Sequence, residues 1–262
     1  MTQPLRLQHL DNPSWRDRRV AFPVTATALR RMSKSRHSRR GHSVIADRQG
    51  CKITPQGGSG VTVRKIPLGI TEDDVALGSH LVHFWKTDDE FESGVRFLQL
   101  GIDNQTEYSV LFGHDEANQR VLEILRRTHP DLDRALQQDR LVILRRDSSA
   151  SVTLAKIKDA FSSAVRKGAT AIRYLGNLGI GRDALPGRGA SEVIELETGV
   201  TALAPRYPCV MVCMYDVNTV SGHLLLASGF ATHPLSVWND QLKQNSYCDA
   251  EEARLSSSEE VA

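Results

Sequence analysis

Apolar residues in this chain fall into two textures: short continuous runs, and longer stretches in which they recur every three or four positions. The run from Leu81 to Trp85 is of strand length. It stops at Thr87-Asp88-Asp89-Glu90, the signature of a helix start, and Phe91, Val95, Leu98 and Ile102 then follow at helical spacing to near Gly101. The alternation repeats four more times. Strands are predicted over 108–112, 141–144, 171–175 and 209–215. Between them the pattern predicts helices over 116–127 and 132–136. A further helix bears Leu154, Ile157, Phe161, Ala164 and Val165 on one face and closes at Gly168. Another carries Val193, Leu196, Val200 and Leu203, and a last one covers 222–230 before an edge strand at 235–238. Cys209–Tyr215 is nearly all apolar, as expected of a central strand covered on both faces. Strands alternating with helices give an α/β fold, a mostly parallel sheet with helices on both sides.

The flanks differ. Residues 1–60 show no sustained period, and six of the eleven residues 30–40 are Lys or Arg. Gly57-Gly58-Ser59-Gly60 reads as a linker, with Val61–Pro67 an extended lead-in. The division expected is a basic, disordered extension over 1–60, a folded domain over 61–240, and a polar, acidic, disordered tail over 241–262. Charge sharpens that division. Residues 1–65 hold 14 Lys/Arg against 3 Asp/Glu, and the remainder 19 against 28. A basic arm on an acidic body invites nucleic acid as a partner through residues 30–40, but no aromatic residues interleave with the cations to stack on bases, which favours a solvated extension. Four cysteines do not make a disulfide framework in a chain of 262 residues, no export signal opens it, and no run approaches the roughly 18 apolar residues of a membrane span. The expectation is a cytoplasmic protein with no membrane partner.

Candidate chemistry is thin. In nucleotide-binding βα folds the first turn is glycine-rich and offers N–H groups to phosphate. Here Asp88, Asp89, Glu90 and Glu92 crowd it instead. The loop 176–189 carries five glycines with Arg182 and Arg188, but it lacks a Gly-Lys-Ser/Thr ending. Asp216, ending a strand, resembles a Walker B carboxylate and equally a turn residue. His80 and His83 point to opposite faces of one strand and cannot share an ion. Cys209 and Cys213 share a face at roughly 13 Å, too far for one metal. Zinc would need long-range convergence, such as of His80, Cys213 and His233. The expectation is therefore no metal, with cysteines packing as small apolar groups. Ser221 and His223 are expected to cap and open the last helix.

His80-Leu-Val-His-Phe-Trp85 with its acidic helix start, Phe97–Ile102, Ile172-Arg173-x-x-Gly-Asn177, Glu195 or Glu197, Cys209–Asp216 and Thr232-His233-Pro234 resemble, in order, the MEDS sensory domain family, over about 66–239. The resemblance implies a RecA/KaiC-like core without a Walker A loop, serving as a ligand-sensing module for small hydrocarbon-like molecules. It points to His80, Phe84, Trp85, Arg173, Cys213, Tyr215, Asp216 and His233 as ligand-binding positions, to which the carboxyl ends of the strands add Asn177. Val82 stands where the family pattern has a cysteine and Asn177 where it has an acid, which argues against thiol- or metal-based sensing.

The residues agree in one respect. Ligands of open α/β sheets bind beyond the carboxyl ends of the strands, where Trp85, Lys86, Asp88, Gly113, His114, Asn177, Tyr215 and Asp216 gather. The functional expectation is a stand-alone, non-enzymatic sensory domain without cofactor. It would signal through a regulatory protein such as a histidine kinase or an anti-sigma factor. The alternative is a KaiC-like ATPase or phosphotransferase using the 176–189 loop.

Overall fold

The computed structural model describes residues 63–147, 149–177 and 190–246. The basic run, the Gly57–Gly60 linker, residues 178–189 of the glycine-rich loop and the tail from Asp249 lie outside the described residues.

A hairpin comes first, β1 (Lys65–Pro67) paired antiparallel with β2 (Asp74–Ala76). The main sheet is built from β3 (Ser79–Trp85), β4 (Glu107–Gly113), β5 (Leu141–Arg145), β6 (Ala171–Asn177), β7 (Cys209–Asp216), β8 (Leu235–Trp238) and β9 (Gln241–Gln244), in the order β5-β4-β6-β7-β3-β8-β9. All neighbours are parallel except the last pair. The apolar strand β7 lies at the centre, as its composition predicts. Segment 235–238 is not the edge. Its partner β9, Gln-Leu-Lys-Gln, is too polar to announce itself and falls in the stretch expected to be tail.

Helices α1 (Asp88–Asp103), α2 (Asp115–Thr128) and α3 (Leu132–Gln137) belong to one face of the sheet, where Phe91, Phe97, Leu98, Val121 and Leu125 bury against Leu81, Leu111, Val212 and Met214. The opposite face takes α4 (Ala150–Arg166) and α5 (Ala190–Leu203), packing Ile157, Phe161, Val193 and Val200 against Val82, Phe112, Tyr174 and Met211. Each large apolar side chain removed from water contributes about 1.5–3 kcal/mol, so two filled faces stabilise the sheet from both sides. Last comes α6 (Gly222–Leu224), which continues as a π-helical segment, Leu225–Phe230.

Local signals set the boundaries. Thr87 and Glu90 form a reciprocal capping box at the start of α1. Ser149 accepts from Val152 N–H at the start of α4, and Gly168 follows that helix at φ +89°. Helix α1 runs close to the sheet because Gly94 and Gly101 face it. A Cβ at Gly101 would come 2.5 Å from Ser109 Oγ, and one at Gly94 would come 2.7 Å from Met214 Cε. None of the described helices is long and apolar enough to cross a membrane.

Candidate functional site

Strand alternation divides β3 between the two faces. Leu81, His83 and Trp85 turn toward α1, while His80, Val82 and Phe84 turn toward α5. On the neighbouring strand Cys213 and Tyr215 turn toward α5 as well. Glu197 of α5 comes down onto them, and His233 arrives from the segment just before β8. Four chain segments thus bring His80, Glu197, Cys213 and His233 to one buried point. One ligating atom from each lies within 4.8 Å of all the others. None of the four is more than 2% exposed.

Hydrogen bonding assigns the protons. Thr201 Oγ1 has a single hydrogen, which goes to the carbonyl of Glu197 (2.9 Å) or of Thr232 (2.6 Å). It must therefore accept from His80 Nδ1–H at 2.9 Å, which leaves His80 Nε2 as a bare lone pair. His233 Nδ1 faces the Ser228 carbonyl at 3.2 Å, an atom that can only accept, and Thr232 Oγ1 at 3.1 Å, whose hydrogen goes to that carbonyl at 2.7 Å, so this ring too carries its proton on Nδ1. Its Nε2 is buried without a hydrogen-bond partner. Both Nε2 atoms lie 3.5 Å from Glu197 Oε2. The Cys213 thiol has one proton, shared between Glu197 Oε2 at 3.2 Å and His80 Nε2 at 3.3 Å. Glu197 Oε1 is satisfied separately by the Tyr215 hydroxyl at 3.1 Å, and Ser228 Oγ lies 2.7 Å from that hydroxyl.

The cluster is short of protons: the His80 lone pair and a carboxylate oxygen share one weak thiol donor, and the His233 lone pair has none. Burial, reinforced by His233, pushes His80 down to about 4, so it is neutral at pH 7. Burial also raises the Cys213 thiol well above its ordinary range, and nearby Glu197 raises it further. Burial alone would raise the Glu197 carboxyl. Only positive charge or protons on its His233 and His80 side hold it below the ordinary carboxylate range. The ring assignments place no proton there.

A family model, MEDS (MEthanogen/methylotroph, DcmR Sensory domain), matches residues 79–234. The chain belongs to the MEDS family. No curated protein matches it. The matched segment begins with β3 and ends just before β8, so it contains every member of the cluster. The protein thus carries a sensory domain.

Of the positions expected to bind ligand in this MEDS domain, His80, Cys213, Tyr215 and His233 meet at the cluster. Phe84 lies beside it, with its ring 6.2 Å from Tyr215 and 4.9 Å from Phe230. The other four lie elsewhere. Trp85 packs on Phe91 across the sheet, under the Arg120 guanidinium. Arg173 is buried against Glu107 at 2.6 Å and donates to the Pro67 carbonyl. Asn177 donates to the Ala117 carbonyl beneath α2. Asp216 holds a turn, accepting from Asn218 N–H. The expected gathering at the carboxyl edge is corrected accordingly, because Trp85 and Tyr215 lie on opposite faces of the sheet.

Two further expectations change. Cys209 packs as a small buried thiol, raised to about 12 by burial, but Cys213 sits in a polar network rather than an apolar one. The convergence of His80, Cys213 and His233 that zinc would require is present, with Glu197 added. In the first βα turn the acids act separately. Glu90 takes the N–H groups of Lys86 (2.7 Å) and Thr87 (3.1 Å), whereas Asp88 and Glu92 turn aside to Arg120 and Arg127. Ser221 caps α6 as its position suggests.

Sequence reasoning missed Thr201 and Ser228 and left Glu197 undecided against Glu195. A signal for Glu197 was present. It stands four residues after Val193 and three before Val200, so a carboxylate occupies the apolar stripe of its helix.

Proposed function

We propose that this MEDS domain is a non-catalytic sensor that binds a small, hydrocarbon-like molecule beside the His80–Glu197–Cys213–His233 cluster and passes the event to a regulatory protein. One observation carries the reading. A single buried polar point joins β3, α5, β7 and the segment before β8, so any ligand that redistributes hydrogen bonds there moves all four. The neighbouring wall of Phe84, Tyr215, Phe230 and Trp238 is aromatic and suits a small apolar guest.

The π-helical segment offers a route outward. Ser228 on it is fully buried against Tyr215, while Leu226 two residues earlier is 68% exposed. A partner such as a histidine kinase or an anti-sigma factor would read that surface. Capture of the first-turn N–H groups by Glu90 argues against nucleotide chemistry at the head of α1. A cytoplasmic setting is consistent with the free thiols of Cys209 and Cys213.

The test is titration of the full chain with one- and two-carbon alcohols, amines and halocarbons, read by tryptophan fluorescence, since Trp238 lies against Phe84. A saturable change that weakens in Tyr215→Phe is expected. Tight ATP·Mg²⁺ binding with turnover would overturn the reading.

A further inference from the structure

The electron-rich point lacks a positive charge. Glu197 Oε2 lies 3.5 Å from each of two histidine Nε2 atoms whose protons are on the far side of the ring, and His233 Nε2 is fully buried without a partner. Among the described residues no Lys or Arg forms an ion pair with Glu197. Lone pairs facing a carboxylate in a dry interior repel, unless a cation lies between them.

We propose that His80 Nε2, His233 Nε2, Cys213 Sγ and Glu197 Oε2 bind a divalent zinc-class metal ion. The lengths fit. Bonds of about 2.0–2.3 Å in a tetrahedral zinc site set donor atoms about 3.3–3.7 Å apart. Four of the six separations here are 3.2 to 3.5 Å. One ligating atom of each residue lies within 4.8 Å of all the others. Nitrogen and sulfur donors exclude Mg²⁺ and Ca²⁺, which take oxygen ligands. The outer partners are those a metal-bound histidine requires: His80 Nδ1–H to Thr201 Oγ1, and His233 Nδ1–H to the Ser228 carbonyl. Tyr215 similarly steadies the other oxygen of Glu197.

Charge balances. On binding, the Cys213 S–H bond breaks, a sulfur–metal bond forms, and the proton leaves to solvent. One thiolate, one carboxylate and two neutral imidazoles then neutralise the 2+ ion. The metal would fasten α5 and the segment before β8 to the sheet. This reading shares the cluster with the sensory one but stands apart from it in test, because metal content does not depend on whether an organic molecule binds.

The experiment uses the full chain, produced with added zinc, desalted and assayed for metal, then stripped and reloaded with Co²⁺. One equivalent of zinc is expected, with a thiolate-to-cobalt charge-transfer band and the intense visible bands of tetrahedral cobalt. Both should persist in Cys51→Ser/Cys248→Ser, which leaves only Cys209 and Cys213. Cys213→Ser should abolish the charge-transfer band, and His233→Gln should weaken Co²⁺ at least a hundredfold. Should these variants not fold, the wild-type chain decides. A strong chelator should lower its melting temperature by several degrees, and Zn²⁺ but not Mg²⁺ should restore it. A metal-free wild-type product that ignores both Co²⁺ and Zn²⁺, or a charge-transfer band that survives Cys213→Ser, overturns the assignment.

Discussion

Among the described residues two carboxylates are buried, and they are treated in opposite ways. Glu107 on β4, 4% exposed, meets Arg173 Nε at 2.6 Å and accepts from Asn104 Nδ2 at 3.0 Å, while Arg173 also donates to Pro67 and lies over the Phe97 ring. Every charge there has its counterpart. Glu197, 1% exposed, faces two imidazole lone pairs and competes for a single thiol proton. The first arrangement fastens the β1–β2 hairpin and α1 to the sheet and needs nothing further. The second is complete only when something is added, and that is the mark of a binding site rather than a brace.

Breaking the brace should show the largest effect. Arg173→Met leaves Glu107 buried and uncompensated, so denaturant unfolding should lose about 3–5 kcal/mol. Removing both charges together, as in Arg173→Met/Glu107→Leu, should recover most of that loss. Metal content and the histidine signals of the folded variants should not change. If they did, the two carboxylates would not be independent.

Acid should act on the other carboxylate's neighbourhood. In the metal-free chain His80 takes its proton near 6.5 when unfolded but only near 4 when folded. Between those values the unfolded chain holds more protons, so stability falls as pH falls through that window. The loss from His80 amounts to roughly 3 kcal/mol at full extent. Urea unfolding at pH 7 and pH 4.5 should show most of this loss in the wild-type chain, and His80→Asn should remove it.

Smaller changes refine the contrast. Tyr215→Phe removes one hydrogen bond to Glu197 Oε1 and should lose about 1 kcal/mol in thermal unfolding. Glu197→Gln replaces a carboxylate by an amide that supplies protons to the bare Nε2 atoms. The metal-free chain should then change by no more than about 1 kcal/mol, although metal uptake is abolished. Glu92→Ala, which breaks a surface pair with Arg127, should shift stability by less than about 0.5 kcal/mol.

The same contrast explains what could be read from the chain beforehand. The βα order and the central strand follow from periodicity alone, because both faces of the sheet are filled by regular apolar stripes. The β1–β2 hairpin and β9 escaped, being three or four residues long with too few apolar positions to show a period. Arg173, within an apolar strand, gave no sign of whether it braces or binds; only its partner Glu107, 66 residues away, decides that. His80, Cys213, Tyr215 and His233 were marked by family resemblance, not by spacing. Their meeting depends on the placement of β3 beside β7 and β8, which no local pattern reveals. Thr201 and Ser228, which fix the ring protons, look like ordinary helix residues in sequence.

The account depends most on where two imidazole protons lie. Long-range ¹H–¹⁵N NMR of the metal-free chain, with the histidine signals assigned through His80→Asn and His233→Gln, reads this directly. Nδ1–H tautomers are expected at both rings, with both Nε2 resonances moving on addition of Zn²⁺. A proton on Nε2 of either ring, unmoved by Zn²⁺, would contradict it.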